Sequence, residues 1–569
     1  NAGQRGNLGM HYTSVPNIMK VIKPLFLDEL YEELEKAKGS SKKLRALLKR
    51  ISQLKIFDPA CGSGNFLIIA YKELRKLEIK IIIEIIDVSN RSVQDSQSKI
   101  HFLKDGYKVI TDAQQSKLNF QGAQTEIWFT NISLTQFYGI EIDDFAHEIA
   151  KLSLWLAEHQ MNKYFESQLP QGKSNPILPL KALGNITCDN ATRVDWGKVC
   201  TKAKNDEIYL LGNPPYLGSR NQDEDQKEDL KALFHKDYKS LDYVTAWFYK
   251  GANYIKRVNA ELAFVSTNSI CQGDLVAKTW PRILNDDIEI GFAYQSFKWT
   301  NNAKSNAGVT VIIVSLRNVS NKEKNIFIEG LKNKSSAINC YLVDASNIII
   351  KGKSKPIKQV PEMRFGNMPN DGGNLILNES EHTKLITEYP VAKNYIRKYT
   401  GGSDFINRKI RYCLWISDDK LKEACQIPEV DSRLERVVKH RENSSENTTR
   451  LKAEYPHEFY FSSHKETDSI IIPRTSSQRR IYIPIGFLDK NTIISDSAMV
   501  IYNAEPWLFG VVSSKMHMAW VRAVGGKLKT DYRYSAKICY NTFPFPDISK
   551  VKKANIEENV FTVLEEREK

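Results

Sequence analysis

Asn213-Pro214-Pro215-Tyr216 stands directly after an apolar run, Ile208–Leu211, and Gly212. Its residue types suit a planar aromatic amine. The amino nitrogen of adenine is a poor nucleophile because its lone pair is delocalised into the ring. The Asn213 side-chain oxygen and the Pro214 carbonyl would accept its two hydrogens and favour a tetrahedral nitrogen. Pro214 and Pro215 have a fixed φ, so that carbonyl is held in place. Tyr216 supplies a flat face on which an extruded base can stack. These four are the candidate catalytic residues, although a proline-rich turn after a buried strand accounts for the tetrapeptide taken alone.

A second constellation lies at Asp58-Pro59-Ala60-Cys61-Gly62-Ser63-Gly64-Asn65-Phe66, between a strand pattern and a helix pattern. Gly62 and Gly64 allow close backbone approach to a ligand, and the helix start behind them offers free N–H groups. The string is not GxGxxG, and no pyrophosphate is implied. Asp58 suits the positive end of S-adenosylmethionine, whose sulfonium and ammonium favour a nearby carboxylate. Asp58, Ala60, Gly62, Gly64 and Phe66 are therefore candidate cofactor-binding residues.

Further on, at the tip of the strand pattern Phe137–Ile140, Glu141 is placed to hold a ribose diol, with Ile142 beside it. Asp143 reads equally as a helix cap or a neighbour of the adenine ring. Leu152, Trp155 and Leu156 read as core.

The elements that must position these groups alternate between strand and helix up to about residue 320, which predicts a doubly wound, mostly parallel sheet covered by helices. Strand candidates are Leu54–Phe57, Phe137–Ile140, Asn185–Thr187, Ile208–Leu211, Leu262–Ser266, Gly291–Gln295 and Val309–Leu316, the last two forming a hairpin. That gives a seven-stranded α/β methyltransferase sheet. Residues 87–126, rich in Ser, Gln and Lys, read as a surface insertion. The expected domains are 1–330 for this sheet, 331–546 for a mixed, mainly β domain, and 547–569 for a charged C-terminal helix.

With 569 residues the chain exceeds what one core usually supports. Its 81 Lys and Arg against 67 Asp and Glu leave a net charge of +14, which fits a polyanionic partner. Eight scattered cysteines without a CxxC pair indicate neither a zinc site nor a disulfide framework, so no metal is expected. They read as reduced thiols of a cytoplasmic protein. No run approaches the ~18 apolar residues of a membrane span.

DPACGSGNF followed by GNPPY resembles the adenine-N6 DNA methyltransferases of gamma motif order. More closely, the chain resembles the methyltransferase and specificity portion of the MmeI-type (type IIL) restriction–modification enzymes. The resemblance rests on GMHYTS, FDPACGSGNF, FYGIEID, LGNPPYLG, VSTNSI, SFKWTNNAKSNAGVTV, EMRFGNMPNDGG, RYCLWI, MHMAWVRAVGGKLKTDYRYS and YNTFPFP, spanning residues 9–546. It implies that Tyr12 and Thr13 close over the methionine part of the cofactor. It places Asn190 first, and Asp189 second, near the cofactor's adenine. It makes Phe297 and Trp299 a second aromatic wall for the flipped base. Double-stranded DNA is the implied partner.

The chain departs from the family in its long insertion and in starting just before GMHYTS, without the family's N-terminal endonuclease. Either it is a solitary methyltransferase or it is a fragment, with a nuclease domain or subunit as a further partner. Glu78-Ile79-Lys80 is the nearest string to a nuclease metal motif; it lacks a partner aspartate and reads as surface charge.

Basic residues beyond residue 330 cluster twice, as Arg474, Arg479 and Arg480, and as Arg522, Lys527, Lys529 and Arg533. Both clusters are candidate DNA contacts, to phosphates or to guanine edges. Two other readings compete: methylation of a protein glutamine or of RNA, and a nonenzymatic DNA-specificity subunit. The large basic domain argues against the first, and the intact motifs against the second.

Overall fold

Nine strands form the central sheet of the computed structural model, which describes residues 13–104, 128–169, 172–173, 185–299, 309–528 and 530–568. They are β1 (Lys55–Asp58), β2 (Phe137–Glu141), β3 (Ile186–Cys188), β4 (Ile208–Gly212), β5 (Ala260–Thr267), β6 (Ile288–Trp299), β7 (Val309–Asn318), β8 (Lys324–Ile328) and β9 (Leu331–Ser335). Their order is β9-β8-β6-β7-β5-β4-β1-β2-β3. The strands from β5 to β3 run parallel, while β7 lies antiparallel between β5 and β6. All five residues of β4 are buried, as expected of a central parallel strand covered on both faces.

All seven strands expected from sequence are present, most of them longer by a residue or more. The sheet is larger by β8 and β9, an antiparallel hairpin whose first strand adds parallel to β6. Residues 331–335 therefore belong to the first unit, not to the second. The chain divides into one unit of Asn1–Cys271 with Lys278–Ile348 and another of Gln272–Ala277 with Ile349–Lys569. The hairpin pairs with β6, and Gln295 Nε2 on β6 donates to the Leu342 carbonyl at 2.9 Å, which keeps the segment up to Ile348 with the first unit.

Two long helices flank the site strands: α1 (Asn65–Lys104) and α2 (Asp144–Gln168). The backbone of α1 continues through residues 87–104, so the first part of the expected insertion is helix; 105–127 lie outside the described residues. Leu152 and Leu156 on α2 are 49% and 53% exposed, which corrects their assignment to the core.

Glu78 also differs from expectation: it is buried, not surface charge. Arg75 Nε donates to it at 3.0 Å, Thr130 Oγ1 at 2.8 Å and the Asn131 N–H at 2.7 Å. Arg75 in turn donates to Asn162 Oδ1 on α2 at 2.9 Å. This ion pair ties α1, α2 and the 130–131 turn together where no water can compensate its charges.

The second unit contains two four-stranded sheets and one three-stranded sheet. The small sheet comprises β10 (Thr475–Ser476), β11 (Gly526–Leu528) and β12 (Asp531–Arg533), with β12 central. A helix, Lys550–Glu568, ends the chain and lies against Pro506–Val512, where a Cβ on Gly510 would come within 2.5 Å of Ile556. All eight cysteines are unpaired. Among the described residues no helix is long and apolar enough to cross a membrane.

Glu78→Ala strands the Arg75 guanidinium in the core and should lower stability by about 3–5 kcal/mol. Lys80→Ala removes only an exposed ammonium over the Tyr31 ring and should cost under ~1 kcal/mol. Denaturant unfolding of the two variants checks the contrast; equal effects would contradict the buried-pair account.

Candidate functional site

The loops after β1 and β4 meet at the carboxyl edge of the sheet. From β1 the chain proceeds outward to β2 and β3; from β4 it proceeds the other way to β5. The reversal leaves a crevice between the two loops, where open α/β sheets bind ligands. Here it holds both motifs.

Asp58 ends β1 and is 1% exposed. Its Oδ1 accepts the Ala60 N–H at 3.0 Å and would lie 2.5 Å from a Cβ on Gly212. Gly212, at φ 152°, is therefore required by contact as well as by conformation. Burial pushes the Asp58 carboxyl up to about 8, opposed by the Ala60 N–H and reinforced by Glu141. Trp247 Nε1 donates to the Pro59 carbonyl at 3.0 Å and holds the loop from outside.

Two cavities open on this crevice. One, of about 290 Å³, is lined by Thr13, Asp58, Ala60, Gly62, Phe66 and Asn213, with Phe145 and Ile149 contributed by α2. The other, of about 270 Å³, is lined by Ala60, Gly62, Glu141, Ile142, Asp189, Asn190, Asn213 and Pro215. Ala60, Gly62 and Asn213 border both. Gly62, at φ 54°, has open space where a side chain would project. Gly64, at φ 81°, instead packs against Ala150 of α2. Tyr12 lies outside the described residues.

Glu141 faces the loop: its Oε2 accepts the Gly62 N–H at 2.8 Å and its Oε1 the Asp143 N–H at 3.0 Å. Burial raises its pKa against those two hydrogen bonds. Asp143 caps α2 through the Ala146 N–H at 2.8 Å, and it also borders the first cavity.

The Asn190 amide is already engaged. Its Nδ2 donates to Asp229 at 3.0 Å, and its Oδ1 accepts from the Thr192 N–H and hydroxyl at 2.9 and 2.7 Å. Asp189, by contrast, is exposed on the cavity wall. Asp189 Oδ1 accepts the Asn190 N–H at 2.6 Å, which leaves its Oδ2 more open to a ligand than the engaged Asn190 amide. Asp229, which sequence reasoning missed, also binds Arg193 Nε at 2.6 Å and the Tyr243 hydroxyl at 2.6 Å. Burial raises its pKa, but these hydrogen bonds prevail and hold it below the usual carboxylate value. No local pattern marks Asp229 or Trp247, because each acts across the sheet edge.

Asn213 leaves β4 at the junction of the two cavities. Its Oδ1 is buried and has no hydrogen-bond partner among the described residues. Pro214 is buried and Pro215 half-buried, while Tyr216 packs against the main core. Burial pushes the Tyr216 phenol up to about 12, opposed by the neighbouring Asn213 side chain.

Phe297 and Trp299 project from β6 with ring centroids 6.0 Å apart. Register shifts between Ile290 and Ala293 and between Tyr294 and Phe297 interrupt that strand and re-aim its side chains. Phe297 is half-buried beneath the Lys20 ammonium, 4.6 Å from its centroid. Trp299 is 3% exposed and belongs to the core. As it stands it supports Phe297 instead of offering a second face.

In the second unit, strand pairing unites the two basic clusters. Thr475 on β10 is opposite Arg533 on β12, and Lys527 on β11 is opposite Tyr532. Arg479, Arg480 and Arg533 are exposed; Lys527 is half-buried, with its pKa lowered by burial. Arg474 lies over the Phe365 ring at 4.7 Å and donates to the Asp496 carbonyl at 3.0 Å. Burial and then the neighbouring Arg533 lower its pKa. Arg522 is exposed on the preceding helix, and Lys529 lies outside the described residues.

Comparison with known proteins matches residues 34–328 to the MmeI DNA-methyltransferase domain and residues 344–547 to the MmeI target recognition domain. The chain is 45% identical over 567 residues to DNA methyltransferase A of Bacillus subtilis (strain 168), covering 99% of this chain and 60% of that protein. It thus spans about three fifths of that curated relative's length. The structure of the type IIL restriction–modification enzyme MmeI in complex with DNA matches at 40% identity and a TM-score of 0.86, over 100% of this chain and 72% of that one. Both units, in order and nearly end to end, place the chain in the MmeI family, as a DNA-methyltransferase domain followed by a target recognition domain.

Proposed function

We propose that this chain methylates the exocyclic N6 of an adenine flipped out of duplex DNA, using S-adenosyl-L-methionine, at sites chosen by its second unit. The observation that carries the reading is the Asn213 Oδ1: a buried acceptor without a donor, at the junction of two cavities of ligand size. Leaving such a group unpaired costs about 1–3 kcal/mol, a cost an incoming N–H removes.

The residues fit the cofactor. The cavity containing Asp58 and Phe66 would hold the methionine end, and the one containing Glu141, Ile142 and Asp189 the ribose and adenine. Bound there, S-adenosyl-L-methionine supplies an electrophilic methyl group on a sulfonium. Asn213 Oδ1 and the Pro214 carbonyl hold the two amino hydrogens, which turns the nitrogen lone pair out of the ring. Tyr216, backed by the core, and Phe297 provide faces for the extruded base. Arg474, Arg479, Arg480, Lys527, Lys529 and Arg533 engage the DNA. Likeness to the type IIL restriction–modification enzyme MmeI supports a role in restriction–modification or a related phage-defence system.

Asn213→Ala should lower methyl transfer by a factor on the order of 10²–10³ or more, as loss of a transition-state contact does, while cofactor affinity stays within a few-fold. Tritium transfer to DNA and calorimetry check both arms; normal turnover would sink the assignment.

Asp58 generates a pH prediction. Its folded pKa, about 8, lies above its ordinary value of 3.8, so its contribution to stability is present at low pH and lost as pH rises through about 8. A cationic ligand favours the ionised carboxylate and therefore releases a proton. Cofactor affinity should rise towards pH 8, by up to about tenfold per pH unit, then level off. Calorimetry on Asp58→Asn should show a flat profile; an equally steep one would exclude Asp58 as the titrating group.

On the recognition sheet, Arg533→Ala should cost roughly 1–3 kcal/mol at one base position if the guanidinium reads a base, or weaken all duplexes alike if it binds phosphate. Arg479→Ala and Arg480→Ala should each make the salt dependence shallower, by about 0.9 in log–log slope. Binding curves on specific and scrambled duplexes at two salt concentrations separate the cases. No change in any variant would leave this surface merely solvated.

A further inference from the structure

A cluster that methyl transfer does not use stands beside Glu141. Asp144 opens α2, His147 follows one turn later and Cys188 ends β3; one potential ligand atom from each lies within 4.8 Å of the other two. Three donors of different chemistry, O, N and S, are drawn from two elements that the sheet topology brings together.

The imidazole is an independent indication. His147 is 7% exposed, and its Nε2 lies 3.0 Å from the Ile186 carbonyl oxygen. A carbonyl can only accept, so Nε2 carries a proton and Nδ1 is the nitrogen left for a ligand. That Nδ1 is buried and receives no hydrogen bond from the described residues. Metal-binding histidines are commonly held this way, with one N–H on a backbone carbonyl and the other nitrogen facing the ion. Glu148 Oε1 lies 3.1 Å from Nδ1, while Lys151 binds the same oxygen at 2.9 Å. Carboxylate against lone pair is repulsive unless a second proton or a metal ion occupies Nδ1.

Cys188 is the one exposed cysteine of the eight. Asp144, Glu141, Asp143 and Asp189 are the charged neighbours that bear on its thiol, and all four are carboxylates. In the sheet it is directly opposite Glu141.

We propose that Asp144, His147 and Cys188 bind a borderline-soft divalent cation of the zinc class, and that the occupied site weakens cofactor binding. Mixed carboxylate, imidazole and thiolate donors suit Zn²⁺ or Co²⁺ and not Mg²⁺ or Ca²⁺. On binding, the Cys188 thiol gives its proton to solvent, and water or Glu148 completes the coordination sphere. A dication next to Glu141 draws on the carboxylate assigned to the ribose and repels the cationic ligand; this coupling rests on the function proposed above, whereas the metal site does not.

The test begins without cofactor. Titration of the chain with Co²⁺ should produce a thiolate-to-cobalt charge-transfer band saturating at one ion per chain and displaced by Zn²⁺. The band should vanish in Cys188→Ser, and Co²⁺ should bind about 10–100-fold more weakly to Asp144→Asn. Both side chains are exposed, so neither substitution threatens the fold; His147→Asn, in the core, is read only after its unfolding transition is shown to be intact. Absence of the band, or its survival in Cys188→Ser, overturns the site. Calorimetry with S-adenosyl-L-methionine should then show weaker binding with one equivalent of Zn²⁺, and no zinc effect in Cys188→Ser. Unchanged affinity in the zinc-loaded chain overturns the coupling. A chain that binds Co²⁺ but no cofactor at all would refute the proposed function and leave the metal site standing.

Discussion

Asp58 and Gly212 end neighbouring central strands, and the carboxylate of one fills the space that a side chain on the other would need. Everything at the crevice depends on that approach. With the carboxylate beneath it, the backbone at Gly212 turns so that Asn213 emerges where both cavities meet. The same carboxylate receives the Ala60 N–H and so shapes the first turn of the glycine loop. Two loops separated by about 150 residues of sequence are thereby coupled through one buried acid, which burial keeps largely protonated near neutral pH.

Charge is distributed unevenly in this basic protein. Its surplus of lysine and arginine includes the small sheet of the second unit, while the crevice walls carry Glu141, Asp189 and Asp229 beside the largely protonated Asp58. A cationic ligand and a polyanion thus have separate surfaces. Beside the small sheet, burial and then Arg533 on β12 lower the preference of Arg474 for charge. An anion relieves the repulsion between them.

The first unit also shows how buried polarity supports a site from a distance. Arg75 and Glu78 lock the two helices that pack behind the loops, using no residue that touches the crevice. Asp229 does the same nearer the site by fixing Asn190 and Tyr243. Such groups have strict partners, because a charge removed from water must be met by hydrogen bonds.

The local signals in the sequence were enough for the strands, for the two motif loops and for their place at the carboxyl edge. Periodicity, glycine and proline are short-range properties, and β1, β4, DPACGSGNF and NPPY express them within a few residues. They did not set the end of the first unit, since β8 and β9 join the sheet through pairing with β6, a strand some thirty residues upstream. Nor could they separate Asp189 from Asn190: both are polar neighbours in one string, and only the distant Asp229 engages one of them. Glu78 read as surface because its partners, Thr130 and Asn131, follow a long intervening stretch. Leu152 and Leu156 read as core because helical spacing shows that a face exists, not what covers it. The grouping of Asp144 and His147 with Cys188 was invisible for the same reason. Contacts between residues distant in sequence depend on which elements become neighbours in the sheet, and the tertiary structure alone decides that.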